Sequence, residues 1–218
     1  MKLENIKELN QNLEIKLIED SRFREYGKLL HGFEFDRLFR YVEENVTIPE
    51  EGNVYFASVQ RIEDFEAIKS IQARIYGQLE VEAGVCAGQN TALTGVEYHQ
   101  GSEVVIAVTD CILIIGRVQD MIGNTYDSSN AEIFYMKRGQ AVELYGTTLH
   151  YTPCKVEETG FMTIVILLKD TNMPVEKVEN SILTKKNKWF ITHESQKAKI
   201  ESGAYPGLIG NLIDIKIK

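Results

Sequence analysis

Glu97-Tyr98-His99-Gln100-Gly101-Ser102-Glu103, followed further along by His150 in Gly146-Thr147-Thr148-Leu149-His150, groups two carboxylates and two imidazoles between runs of strand-forming residues. Side chains alternate across a strand. A continuous strand therefore puts Glu97, Gly101 and Glu103 on the side of His99, whereas a turn at Gln100-Gly101-Ser102 folds Glu103 back beside His99. Either geometry brings three side chains that can ligate a metal to one place.

The runs on both sides of this stretch are rich in β-branched and aromatic residues and are separated by turn residues. They lie at 73–76, 79–86, 92–99, 103–108 and 111–118, then at 132–137, 141–145, 148–151 and 161–169. About ten short strands at close spacing predict a sandwich or a barrel. The interruption at 119–130, with Gly123-Asn124 and Asp127-Ser128-Ser129-Asn130, reads as an exposed loop. Gly84, Gly88 and Gly95 read as hairpin turns, not as a phosphate loop.

Upstream, Leu3, Ile6 and Leu9 recur at helical spacing, and a second helix is expected after Asp20-Ser21 with Phe23, Tyr26 and Leu30 on its stripe. Phe35, Leu38, Phe39 and Val42 mark a third helix that packs its apolar side on the sheet. Residues 53–59 read as a strand, and 64–70 as helix or irregular crossover. Beyond Pro174, Lys185, Lys186 and Lys188 read as a solvated turn. A strand at 189–192, a short helix after His193 and an edge strand at 212–217 complete the chain.

With 218 residues and 44% hydrophobic content, the chain can bury a substantial core. A net charge of −8 argues against binding along a phosphate backbone and favours small ligands or protein partners. Cys86, Cys111 and Cys154 form an odd set without CxxC spacing, so neither a disulfide framework nor a thiolate zinc knuckle is expected; they read as inert small hydrophobes. The stretch 104–118, broken by Thr109-Asp110, is too short to span a bilayer. Residues 1–9 lack the pattern of an export signal. A cytoplasmic protein that binds neither nucleic acid nor membrane is expected.

The two histidine segments resemble the metal motifs of the cupin superfamily. The first cupin motif sets two histidines one residue apart and a glutamate three or four residues after the second. Glu97 stands where the first histidine would be, His99 matches the second, and Glu103 falls at the glutamate's spacing. The second motif runs Gly, five residues, Pro, one residue, Gly, two residues, His, and Gly139 and His150 sit at its matching ends. Tyr145 replaces the proline, Thr147 the second glycine and Cys154 the final asparagine, while Thr91 and Asp110 occupy the framing glycine positions of the first motif. The resemblance covers about residues 73–169. With Phe23-Arg24-Glu25-Tyr26-Gly27-Lys28 and Leu93-Thr94-Gly95-Val96-Glu97-Tyr98-His99, the whole chain is similar to a bacterial cupin family of unassigned function.

The resemblance implies a mainly β, cupin-type double-stranded β-helix, a jelly-roll barrel with short N-terminal helices and a C-terminal extension. The expected organisation is a single cupin domain over 1–218: an N-terminal extension at 1–72, the barrel core at 73–169, and a C-terminal extension at 170–218 packing on the barrel. It further implies a divalent transition metal, Zn, Mn, Fe or Ni, held by His99, Glu103 and His150, with Glu97 as a fourth ligand or a nearby catalytic base. A single histidine is more often a satisfied sheet residue. Here two of the chain's four histidines fall at cupin ligand spacings, with a glutamate at a third position.

Around this centre, Tyr135 and Lys137 are candidates to touch the substrate and His193 to shuttle a proton at the barrel mouth. Alternation sends Tyr98 and Tyr151 to the opposite face, into the core. The expected function is that of a metal-binding cupin enzyme of small-molecule carbohydrate metabolism. It would be a sugar isomerase or lyase in which the metal polarises a carbonyl while Glu97 or another pocket base moves a proton. The alternatives are a non-catalytic small-ligand-binding cupin and a dimerisation scaffold. Its expected partners are a small polyoxygenated substrate or ligand and a second copy in a homodimer.

Overall fold

Strands at Val81–Gly88, Gly95–Tyr98, Glu103–Ala107, Cys111–Arg117, Glu132–Met136, Ala141–Leu144, Thr148–Leu149 and Phe161–Leu168 carry the centre of the molecule. The computed structural model describes residues 2–176, 178, 179 and 181–217. Taken in chain order, the first, eighth, third and sixth of these strands lie side by side in one antiparallel sheet. The second, seventh, fourth and fifth form the facing sheet. That order is the double Greek key of a jelly-roll barrel, the fold that the cupin resemblance implies.

The strand sequences are nearly continuous apolar runs because both faces of each sheet are covered. Along Glu103–Ala107, Val105 and Ala107 join the barrel interior with Leu113, Phe134 and Val165. Val104 and Ile106 belong to the opposite cluster, with Leu38 and Val42 of the helix Asp36–Asn45, Ile62 of Gln60–Glu63, and Ile68 and Ile71 of Glu66–Arg74. The other sheet turns Val96, Ile112, Ile114 and Ile133 outward against Ile6 of the helix Lys2–Leu9 and against Ile191, Leu208 and Ile215 from the C-terminal part. Each such side chain, fully buried, contributes about 1.5–3 kcal/mol, so the three clusters hold the barrel between its coverings. Among the described residues, no helix is long and apolar enough to cross a membrane.

Several elements differ from their sequence expectation. The helical stripe after Asp20-Ser21 stops early: Ser21–Glu25 is a single 3-10 segment capped by the Asp20 carboxylate, which accepts from the Arg22 N–H at 2.8 Å. Gly27–Leu30 then joins the edge of the first sheet beside Ala141–Leu144, so tertiary pairing overrides local propensity there. Residues 73–76 are not a strand. The helix Glu66–Arg74 runs into them, and the Tyr76 hydroxyl donates to the Ile166 carbonyl at 2.6 Å.

No edge strand forms at 212–217 beyond a single bridge from Asp214 to Ala92. The added C-terminal strand is Tyr205–Ile209, whose Pro206 hid it, because proline inside a run argues against a strand. It lies parallel to Lys188–His193 on one side and to Tyr126–Asp127, within the expected loop, on the other.

The edge strand Asn53–Phe56 lies so close to Val81–Gly88 that a β-carbon at Gly84 would stand 1.6 Å from the Phe56 carbonyl oxygen. Gly84→Ala is therefore expected to cost about 1–3 kcal/mol. A thermal melt should show a loss of roughly 2–4 °C per kcal/mol, and an unchanged Tm would contradict this packing.

Candidate metal centre

Glu97 and His150 face one another across neighbouring strands. The Glu97 N–H donates to the His150 carbonyl at 2.7 Å, and the His150 N–H returns to the Glu97 carbonyl at 3.0 Å. A pair that exchanges both bonds carries its side chains on one face, and because Val96 packs outward, Glu97 points into the barrel. The chain then bends through Gln100-Gly101-Ser102, where Gly101 adopts φ +105°, a conformation that glycine takes without strain. The bend returns Glu103 to the group, so of the two geometries open to the sequence the turn is the one found.

His99 Nε2 lies 3.7 Å from Glu97 Oε1 and 3.6 Å from Glu103 Oε2, and His150 Nε2 lies 3.1 Å from Glu103 Oε2. Both imidazoles are oriented from behind. His99 Nδ1 is 2.7 Å from the Asn187 carbonyl oxygen and His150 Nδ1 is 2.9 Å from that of Thr148. A carbonyl only accepts, so each Nδ1 carries a proton and each ring turns its Nε2 toward the carboxylates. The His99 side chain is 1% exposed and its Nε2 has no hydrogen-bond partner.

A buried orphan of this kind is what a bound cation satisfies. Ligand atoms about 2.1 Å from a shared ion stand roughly 3.0–3.4 Å apart at octahedral or tetrahedral angles. The three imidazole–carboxylate separations, 3.1, 3.6 and 3.7 Å, lie within a few tenths of an ångström of this range. Glu97, His99 and His150 bring ligand atoms within 4.8 Å of one another, and the residues present fit a divalent metal.

Lys188, read from the sequence as part of a solvated turn, is turned inward, with Nζ 2.7 Å from Glu97 Oε2. Burial alone would raise the Glu97 carboxyl, but Lys188 and the two imidazoles outweigh it and hold the group at about 2. Burial alone would lower His150, but the carboxylates of Glu103 and Glu97 push it up to about 9. The clue to Lys188 is alternation. It shares a face of the strand Lys188–His193 with Phe190, which packs against Tyr151, and with Thr192, whose hydroxyl donates to the Thr94 carbonyl.

Glu97, Glu103 and His150 line a cavity of 140 Å³, together with Val105, Leu113, Leu144 and Val165 and with Tyr55, Tyr151 and Lys188. Tyr151 thus lines the cavity instead of the opposite face, because regular strand ends at Leu149 and alternation no longer holds. Burial, with Glu97 nearby, pushes its phenol up to about 12. Tyr55 is 41% exposed as a residue, yet burial of its hydroxyl end and the charges of Glu103 and Glu97 raise its phenol strongly.

Tyr135, Lys137 and His193 do not line the cavity. The Tyr135 hydroxyl donates to Asp110 at 2.7 Å outside the barrel, Lys137 is exposed, and both ring nitrogens of His193 are engaged, with Ser195 and the Gly210 carbonyl. A larger groove of 1040 Å³, between 12–16, 127–133 and 210–213, contains no member of the cluster.

The model of the family described as Domain of unknown function (DUF4867) matches residues 15–213. The chain belongs to this family. Its description names no reaction, and no curated protein sequence matches the chain. Similar solved structures include an oxalate decarboxylase of Bacillus subtilis, at 9% identity and a TM-score of 0.38, covering 80% of this chain and 41% of the other. A salicylate 1,2-dioxygenase mutant from Pseudoaminobacter salicylatoxidans gives 10% identity and a TM-score of 0.33, with 60% and 30% covered. A conserved protein of unknown function from Streptococcus pyogenes gives 14% and 0.34, with 66% and 93% covered. The chain spans about 29% to 41% of the oxalate decarboxylase chains it matches. The jelly-roll architecture of this chain follows from its strand order.

For the metal-free protein the two shifted groups set opposite flanks of stability. His150 rises from 6.5 to about 9, so its contribution is full below 6.5 and is lost as pH climbs through 9. Glu97 falls from 4.5 to about 2, so its contribution is full above 4.5 and is lost as pH drops through 2. Urea midpoints of chelator-treated protein should be highest between 4.5 and 6.5 and decline toward 9. His150→Gln should flatten the alkaline decline; an equal decline in the variant would contradict the assignment.

Proposed function

We propose that the chain is a metal-binding cupin that works as an enzyme on a small polyoxygenated molecule, of the sugar isomerase or lyase type. The observation that carries this reading is the orphaned Nε2 of His99, set beside the carboxylates of Glu97 and Glu103, which line a cavity together with His150. Two imidazoles with carboxylates suit Zn, Mn, Fe or Ni. A divalent ion bound there would supply Lewis acidity toward a carbonyl and its neighbouring hydroxyl.

His99, Glu103 and His150 would hold that ion. Glu97, kept at about 2 by Lys188 and the imidazoles, is a weak base near neutral pH, which favours the role of ligand over that of proton acceptor. The apolar walls keep water from the reacting carbons. A cavity of about 150 Å³ accepts benzene, so the enclosed part of the substrate is about six heavy atoms. The same reading takes the chain as one domain in the cytoplasm, paired as a homodimer. The edge strand Asn53–Phe56, with Tyr55 and Phe56 exposed, is available for such pairing.

One observation favours the second reading, a non-catalytic cupin that binds a small ligand. Glu97 with Lys188, and Glu103 with a protonated His150, balance the buried charges without any ion.

Elemental analysis of protein purified without chelator tests the metal-dependent reading, and product formation from aldoses, ketoses or hydroxy acids then separates enzyme from binder. About one equivalent of Zn, Mn, Fe or Ni per chain is expected, and His150→Ala should stay folded and lose affinity by at least roughly tenfold. Less than about a tenth of an equivalent, with no gain when metal is added, would refute the metal-dependent reading.

A further inference from the structure

The cavity has a second polar feature besides the ligand cluster. Lys188 Nζ forms an ion pair with Glu97 Oε2 at 2.7 Å, and among the described residues the ammonium, which carries three N–H donors, meets no other carboxylate, although it lines the cavity and its side chain is 19% exposed. Tyr55 brings a phenol hydroxyl to the same cavity. Tyr151 accepts a hydrogen bond from Lys199 Nζ at 3.0 Å, which leaves its own O–H proton to be given elsewhere. Lys199 also sits over the Tyr151 ring, 4.8 Å from its centroid, and so holds the phenol from behind.

The polar groups facing the space next to the cluster therefore carry protons to give, and one of them is a full positive charge. A divalent ion together with Lys188 also outweighs the carboxylates of Glu97 and Glu103 by one charge, and the other lining residues, Val105, Leu113, Leu144, Val165, Thr152 and Thr163 among them, carry none to offset it. An uncompensated charge in such surroundings is costly and draws an anion. A neutral polyol would leave Glu97 as the one charged acceptor of the ammonium among the described residues, whereas a ligand carboxylate adds a second charge-assisted bond.

We propose that Lys188, with the hydroxyls of Tyr151 and Tyr55, is the anion-recognising wall of this cavity, and that its ligand is a hydroxy- or keto-carboxylate of about six heavy atoms. This rests on the metal reading above and narrows it from polyoxygenated molecules in general to small acids. Lys188 is then a specificity-determining residue, and Lys199 a positioning residue acting through Tyr151.

The test uses lactate and lactamide, which match in size and differ in charge, with pyruvate as the keto probe. Each is titrated calorimetrically into wild-type protein, Lys188→Met and Lys188→Arg after metal content has been measured on every sample. Wild type should bind lactate or pyruvate at least roughly tenfold more tightly than lactamide, a difference of about 1.4 kcal/mol. Lys188→Met should lose that preference while keeping its metal, and Lys188→Arg, which restores the charge, should keep it. Equal binding of lactate and lactamide, no binding of either acid to metal-loaded protein, or an undiminished preference in Lys188→Met would each overturn the proposal. Failure to take up metal would instead refute the reading it rests on, and the preference for lactate over lactamide on metal-free protein would then carry the test of Lys188.

Discussion

The exchange of two main-chain hydrogen bonds between Glu97 and His150 is the constraint on which the architecture and the site both depend. It joins the Gly95–Tyr98 strand to the Thr148–Leu149 segment and so completes the second sheet of the barrel. By the same act it sets a carboxylate and an imidazole side by side facing inward. Each bond adds only about 0.5–1.5 kcal/mol. Its importance is positional, since charged side chains inside an apolar barrel are tolerated only when paired.

The C-terminal part of the chain belongs to the site as much as the barrel does. Lys186-Asn187 forms the turn between Leu183–Lys185 and Lys188–His193, with Asn187 at φ +57°. The Asn187 side chain accepts from the Gln100 N–H at 2.7 Å and donates to the Gln100 carbonyl at 3.2 Å, which clamps the bend that brings Glu103 home. Its own carbonyl fixes the tautomer of His99, and the next residue neutralises Glu97. Orientation by such outer partners commonly governs the affinity of a metal ligand by about 10–100-fold.

Much of this was legible in the sequence because the barrel strands are long apolar runs broken by turns, and because the four ligand-capable side chains lie within two short motifs. Val104 to Ala107 or Phe161 to Leu168 can hardly be read otherwise. What stayed hidden depends on pairings distant in sequence. Lys188 looks like one lysine of a solvated cluster until the strand that begins with it is laid against Gly95–Tyr98. Tyr151 was placed by an alternation that ends at Leu149, Leu30 by a helical stripe that gives way to a sheet edge, and Tyr205–Ile209 was masked by Pro206. Tyr135 and His193 are polar residues whose hydrogen bonds are met elsewhere, which no spacing rule reveals.

The central claim is that His99 is presented to a metal, with its proton held on Nδ1 by the Asn187 carbonyl and its Nε2 bare. Nitrogen-15 NMR of imidazole-labelled, metal-free protein reads this directly. The account predicts an Nδ1–H tautomer for His99 with an unprotonated Nε2 whose resonance shifts when Zn is added. An Nε2–H tautomer, or a His99 spectrum indifferent to Zn and to the other three metals, would contradict it.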